Sequence, residues 1–219
     1  MYFMILLDKS TLLTKIGVFS GKMCTLLTNI KFFSMVSRQH SNKREERYRT
    51  AMKRYQKDKQ RNVLAQPGQH QFILVLDHLQ AGFNVPKIFR SAETLGAHEI
   101  HLINIEPFDP APAKGTFRKV PAKFHDNVAD CFEELKQRGY QLFTLEAEKG
   151  KILYEAELPE KSAFILGNED RGISFDTASY PEIDCLSIPH FGVTESLNVS
   201  VAASIVMYEY ISQHRIKMK

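Results

Sequence analysis

Three short stretches of this 219-residue chain gather side chains able to hold a ligand and steady developing charge: NVPKIFR (84–90), LGNEDRGIS (166–174) and TESLNVS (194–200). In the first, Asn84 is a good helix cap, and Pro86 sits acceptably in a first helical turn. Arg90 follows Asn84 by a little under two turns, so both side chains can approach one region. A surface arginine paired with Glu93 or Glu99 accounts for it equally. In the second, Gly167 and Gly172 bracket a polar turn. Glycine lets a backbone bend sharply or approach a ligand closely, presenting N–H and C=O groups. The phosphate-binding patterns GxxxxGK[ST] and GxGxxG are absent, and Glu169 with Asp170 would repel a phosphate. A neutral or cationic ligand held through backbone contacts suits this turn better. In the third, Glu195, Ser196, Asn198 and Ser200 crowd a helix start where one capping side chain suffices.

Each stretch follows a segment that reads as a strand. Gln71–Asp77 is an almost continuous apolar run, the pattern of a strand buried on both faces. Glu99–Ile105, Tyr140–Leu145, Ser162–Leu166 and Ile183–Ile188 read as further strands. Helices are expected over Val85–Leu95, Asn127–Arg138 and Leu197–Gln213, the first two closed by Gly96 and Gly139. In the last, Val199, Val201, Ala202, Ala203 and Ile205 are expected to turn into the core. Pro107–Lys123, with four prolines and one glycine, reads as a long loop or lid-like connection. Alternating strands and helices imply an α/β fold with a mainly parallel sheet covered on both faces. Ligands collect at the carboxyl ends of such strands, where the three stretches lie.

Ahead of this body the charge is uneven. Residues 36–62 hold ten Lys and Arg against three acids, whereas 63–219 carry a net −6. Residues 38–62 are good helix formers with too few apolar positions for a core stripe, which predicts an exposed helix. A basic arm (36–68) joined to an acidic body (69–219) suggests an anionic partner, nucleic acid first, although a solvated helix face carries the same charge. Residues 1–35 form an extension of uncertain role. MYFMILL is interrupted by Asp8 and Lys9 and is too short to span a bilayer, and Met35 is a candidate translation start. Cys24, Cys131 and Cys185 lie far apart with no CxxC pair, so no metal knuckle or disulfide framework is legible, and a reducing cytoplasm is the natural home.

Together, NVPKIFRSAETLG (84–96), FILGNEDRGIS (164–174) and LSIPHFGVTESLNVSVAASI (186–205) resemble, in order and spacing, the three motifs of the SpoU/TrmH family of the SPOUT superfamily. The third, with SLNVS entire, is the most specific. Pro86 departs from the glycine common there, and His190 from a frequent methionine. The resemblance covers about residues 71–213. It implies S-adenosylmethionine-dependent methylation of a ribose 2′-hydroxyl in transfer or ribosomal RNA, a C-terminal trefoil knot and a homodimer, with no metal and no membrane. It places Arg90, Asn84, Glu169, Ser196 and Asn198 at the reacting ribose, and Leu166, Gly167, Gly172, Ile188 and Leu197 against the cofactor. Arg38, Lys43, Arg44, Arg47, Arg49, Lys53 and Arg54 of the arm would grip RNA phosphates without reading sequence. A non-catalytic RNA-binding protein on this fold and an RNA base methyltransferase are the competing readings.

Overall fold

A computed structural model of the chain describes residues 43–147, 149–193 and 196–215. Arg38, the extension 1–35 and Glu195 lie outside the described residues. Two compact units are distinguished, Met1–Arg47 and Tyr48–Lys219. Of the first, residues 43–47 are described, helical and exposed.

The second unit opens on helical residues 48–62 (α1). Its sheet comprises β1 (Ile73–Asp77), β2 (Glu99–Ile103), β3 (Ala122–His125), β4 (Gln141–Leu145), β5 (Lys151–Ile152), β6 (Ser162–Leu166) and β7 (Asp184–Ser187). The strand order is β3-β2-β1-β6-β4-β7-β5, and every pairing is parallel. α2 (Asn84–Thr94), α3 (Val128–Gln137) and α4 (Val199–Gln213) cover it. No described helix is long and apolar enough to cross a membrane.

Burial on both faces explains the apolar run of β1. Its side chains alternate, so Leu74 and Leu76 join the core with Val85, Ile88 and Phe89 of α2 and Val206 and Met207 of α4. Ile73 and Val75 meet Cys131, Phe132 and Leu135 of α3 on the other face. Fully burying each large apolar side chain contributes about 1.5–3 kcal/mol. This two-sided packing fixes the strand ends from which the three motif stretches leave.

Four expectations need correcting. The 107–123 stretch is no lid: it holds one-turn helices at Ala111–Ala113 and Thr116–Arg118, anchors itself with buried Phe108 and Phe117, and ends in edge strand β3. Prolines masked this, because they forbid long regular elements while allowing short turns. Nor is the basic helix exposed throughout. Tyr55 is buried against Phe108 and Phe117, ring centroids 5.2 and 5.6 Å away. Asn62, also buried, donates to the carbonyls of Phe117 and Val120 (2.5 and 2.7 Å) and accepts from the Ala122 N–H at 2.9 Å. One aromatic ring and one fully bonded amide dock the helix without an apolar stripe. Asn84 is not the α2 cap: Phe83 occupies that position, with no side-chain cap bond. Finally, Val201 is 47% exposed rather than turned into the core, whereas Val199 and Ala203 are buried.

Candidate active site

The carboxyl ends of β4, β6 and β7 and the start of α4 enclose a cavity of about 560 Å³. That volume lies within the roughly 300–1,000 Å³ typical of small-molecule clefts. Leu145, Leu166, Ile188, Leu197 and Val199 supply apolar wall, and Gly167, Asn168 and Gly172 supply backbone edge. Its charged side chains are Glu146 and Glu169 against Arg171. Among the described residues no cluster of cations awaits a polyphosphate, so the lining suits a part-apolar ligand of neutral or positive charge.

The wall from β6 is a tight hairpin. The Asn168 N–H donates to the Gly172 carbonyl (2.7 Å) and the Gly172 N–H returns a bond at 2.9 Å. The Asn168 side chain accepts from the Asp170 and Arg171 N–H groups and donates to the His78 carbonyl at 2.6 Å. Gly172 takes φ +71°, which side-chain-bearing residues rarely adopt. A Cβ on Gly167 would lie 2.4 Å from the Gly172 backbone, so hairpin closure alone demands glycine there. Behind the hairpin, buried Asp77 accepts from the Ser174 N–H (2.6 Å), the Ser174 hydroxyl (2.8 Å) and His78 Nδ1 (2.6 Å). A buried carboxylate needs such donors, and here they clamp the loop after β6 to the end of β1.

At the cavity mouth one chain of hydrogen bonds joins the three stretches. Asn84 Nδ2 donates to Glu169 Oε1 at 2.8 Å, and Asn198 Nδ2 donates to Asn84 Oδ1 at 3.2 Å. Asn198 Oδ1 caps α4, accepting from the Ser200 N–H (3.0 Å) and hydroxyl (2.6 Å). The second Glu169 oxygen takes the Gln80 N–H at 3.3 Å. Each amide has its donor and acceptor end assigned by these partners, so the network can present polar groups in fixed directions. Ser196 and Leu197, both exposed, line the cavity beside it.

Of the expected site residues, Glu169, Ser196, Asn198, Leu166, Gly167, Gly172, Ile188 and Leu197 line this cavity, and Asn84 bonds to two of them. Arg90 does not. It lies exposed on α2, outside the lining, and among the described residues its guanidinium has no partner. Of the arm residues, Lys43, Arg44, Arg47, Arg49, Lys53 and Arg54 are exposed. The sequence reading overlooked Leu145 and Glu146, although the strand-end rule extends to β4 as well. Asp77 and Asn168 were also passed over; a carboxylate ending an apolar strand was the available signal.

The SpoU rRNA Methylase family matches residues 71–208. The chain is 30% identical over 165 residues to the 23S rRNA (guanosine-2′-O-)-methyltransferase RlmB of Neisseria meningitidis, covering 71% of this chain and 64% of that protein. A putative TrmH-family RNA methyltransferase from Porphyromonas gingivalis superimposes with a TM-score of 0.57 at 32% identity, over 66% of this chain and 61% of that one. A structure described as giving insight into 2-OH methylation of C/U34 on tRNA aligns at TM-score 0.58 and 30% identity, over 67% of this chain and 98% of that one. The chain thus spans somewhat under two thirds of the Neisseria and Porphyromonas proteins. With the family match extending over more than half the chain, and all three motif stretches inside it, this protein belongs to the SpoU rRNA methylase family.

Proposed function

We propose that this chain methylates a ribose 2′-hydroxyl of a structured transfer or ribosomal RNA, using S-adenosylmethionine. The observation that carries the reading is the Ser200–Asn198–Asn84–Glu169 network, which ties three strand-end loops together at the mouth of a cavity. The cavity residues fit the cofactor: apolar walls and backbone edges suit an adenosine, and two carboxylates against one arginine suit a sulfonium cation better than a phosphate. Leu166, Gly167, Gly172, Ile188 and Leu197 would hold it. When bound, S-adenosylmethionine supplies an electrophilic methyl group.

The residues of this chain have the remaining work. A ribose hydroxyl is a poor nucleophile at neutral pH and must be polarised as it reacts. Ser196 and Asn198 orient the ribose at the cavity mouth, while Asn84 and Glu169 keep the Asn198 amide turned. Arg90 steadies the developing oxyanion together with an RNA phosphate. Arginine stays protonated in proteins, so orientation and charge stabilisation are its tasks. Its position outside its own cavity fits a homodimer in which Arg90 serves the partner's site. Exposed Tyr154, Val201 and Tyr208 border an apolar groove with Ile205 that suits such an interface.

Residues 36–68 act as an RNA-binding arm on a catalytic domain of 69–219, in the cytoplasm. A knot is supported by strand order. β7 lies between β4 and β5, which are joined by residues 146–150, and Leu186 pairs with Leu145 on one side and Lys151 on the other. Gly150, just ahead of β5, lies against β7, close enough that a Cβ there would strike the Cys185 carbonyl at 2.2 Å. Transfer of labelled methyl from S-adenosylmethionine to RNA should fall at least about a hundredfold in Arg90→Ala, the low end for a lost catalytic group. Activity near wild type in that variant would remove Arg90 from the mechanism.

A further inference from the structure

Away from the cavity, the α3-covered face of β2 and β3 holds a cluster with no part in the proposed reaction. His101 on β2 is fully buried, Cys131 on α3 is fully buried, and His125 on edge strand β3 is half-buried. His125 Nε2 lies 3.0 Å and Cys131 Sγ 3.4 Å from His101 Nδ1, and all three atoms fall within 4.8 Å of one another. The His101 and His125 rings stack, centroids 4.9 Å apart. On its other side His101 Nε2 meets Glu99 Oε2 at 3.0 Å. Arg138 pairs with both Glu99 oxygens at 2.8 and 2.9 Å, and Lys123 pairs with Glu134.

These contacts fix the His101 tautomer. The Glu99 carboxylate takes the Nε2–H, so a neutral His101 presents a bare lone pair at Nδ1. That single lone pair faces two groups, and it cannot accept a well-aligned hydrogen bond from both. A metal ion would resolve the competition, since it takes one lone pair from each of the three atoms. Tetrahedral coordination with Zn–N of about 2.0–2.1 Å and Zn–S of about 2.3 Å separates ligand atoms by roughly 3.3–3.6 Å. The two separations from His101 Nδ1, 3.0 and 3.4 Å, need adjustments of only a few tenths of an ångström. His125 Nε2 and Cys131 Sγ, within 4.8 Å of each other, close on the ion by rotation of the half-exposed His125 side chain. A carboxylate behind a ligating histidine is also the usual orienting partner in such sites. Mixed imidazole and thiolate donors select a borderline-soft divalent ion.

We infer that His101 Nδ1, His125 Nε2 and Cys131 Sγ form a zinc-class metal site that staples edge strand β3 to β2 and α3. On binding, the Cys131 thiol loses its proton to solvent and the thiolate sulfur donates to the metal. Water completes the coordination, reaching the ion along the half-exposed His125 edge. The site is independent of methyl transfer and stands or falls separately from it.

The test uses the full-length reduced protein, stripped with chelator and titrated with cobalt(II) as a spectroscopic probe. One equivalent per chain should produce tetrahedral visible bands and a near-ultraviolet thiolate-to-cobalt charge-transfer band, both removed by one equivalent of zinc(II). Cys131→Ser should lose the charge-transfer band, Cys185→Ser should keep it, and His125→Ala, at the half-exposed position, should weaken affinity at least about tenfold. No thiolate band in the wild-type protein, or a band that survives Cys131→Ser, overturns the site. The wild-type titration alone suffices for that, even if a variant fails to fold.

Discussion

Asn198 performs two tasks that a pair of substitutions can separate. Its Oδ1 caps α4 by accepting from the Ser200 N–H and hydroxyl, and its Nδ2 donates to Asn84. Asn198→Ala removes both. Losing the cap costs about 1 kcal/mol, and the buried Ser200 hydroxyl, deprived of its acceptor, adds about another 1 kcal/mol. At about 2–4 °C per kcal/mol for a domain of this size, thermal unfolding should fall by roughly 4–8 °C. Asn198→Asp keeps an oxygen acceptor for Ser200, and a carboxylate at a helix N-terminus is favourable, so stability should stay within about 1 kcal/mol of wild type. Yet the donor to Asn84 is gone, and a negative charge now faces Asn84 Oδ1, one amide from Glu169. Methyl transfer to RNA should therefore drop at least about a hundredfold in both variants. Differential scanning fluorimetry and labelled-methyl transfer, run on the same preparations, check the two halves. Wild-type activity in Asn198→Asp would refute the role of the network, and equal stability of the two variants would refute the cap.

Three further outcomes follow from other parts of the molecule. Asn62→Ala leaves the Phe117 and Val120 carbonyls and the Ala122 N–H without their partner, and urea unfolding should show a loss of about 2–4 kcal/mol; a loss under about 0.5 kcal/mol would mean that water replaces the amide. Changing Lys43, Arg44, Arg47, Lys53 and Arg54 to Gln should weaken RNA binding and flatten its salt dependence by as much as about 0.7 per lost single-strand phosphate contact, leaving S-adenosylmethionine affinity unchanged; an unaltered salt slope would exclude the arm. Burial alone would raise the Glu99 carboxyl, but hydrogen bonds from His101 and Arg138, and the charges of Arg138 and Lys123, outweigh it and hold the group well below the usual range. A depressed folded value contributes stability that is present above the unfolded carboxyl value of about 4.3 and lost as pH falls below it. Glu99→Gln should flatten the acid limb of a stability–pH profile, and an unchanged limb would refute that assignment.

What the sequence made legible divides along physical lines. β1 and β6 were readable because strands buried on both faces must be largely apolar along their length. β7, exposed at Asp184 and buried only at Leu186 and Ser187, showed instead through the short apolar stretch around Leu186 and Ile188. β5, two residues long, carries no period at all, and β3, half-buried at the edge, has the polar pattern of a loop. Tyr55 and Asn62 escaped for a related reason: one ring and one amide dock α1, and neither registers in a count of apolar residues. Within the site, Glu169, Ser196 and Asn198 stood out as polar residues at helix or turn starts. Their meeting depends on the order β1-β6-β4-β7, which brings together residues 114 positions apart, and local pattern has no access to that pairing. Arg90 marks the converse case, since its type and spacing nominate it while its own chain leaves it outside the cavity.

The central claim is chemical and is tested most directly on the product. RNA treated with the protein and methyl-labelled S-adenosylmethionine is digested to nucleosides, and the labelled species is separated and tested for resistance of its 3′ linkage to alkali. The account predicts label on a 2′-O-methylated nucleoside whose linkage resists alkaline cleavage, absent with Arg90→Ala. Label on a base, or RNA that binds without ever acquiring label, would contradict it.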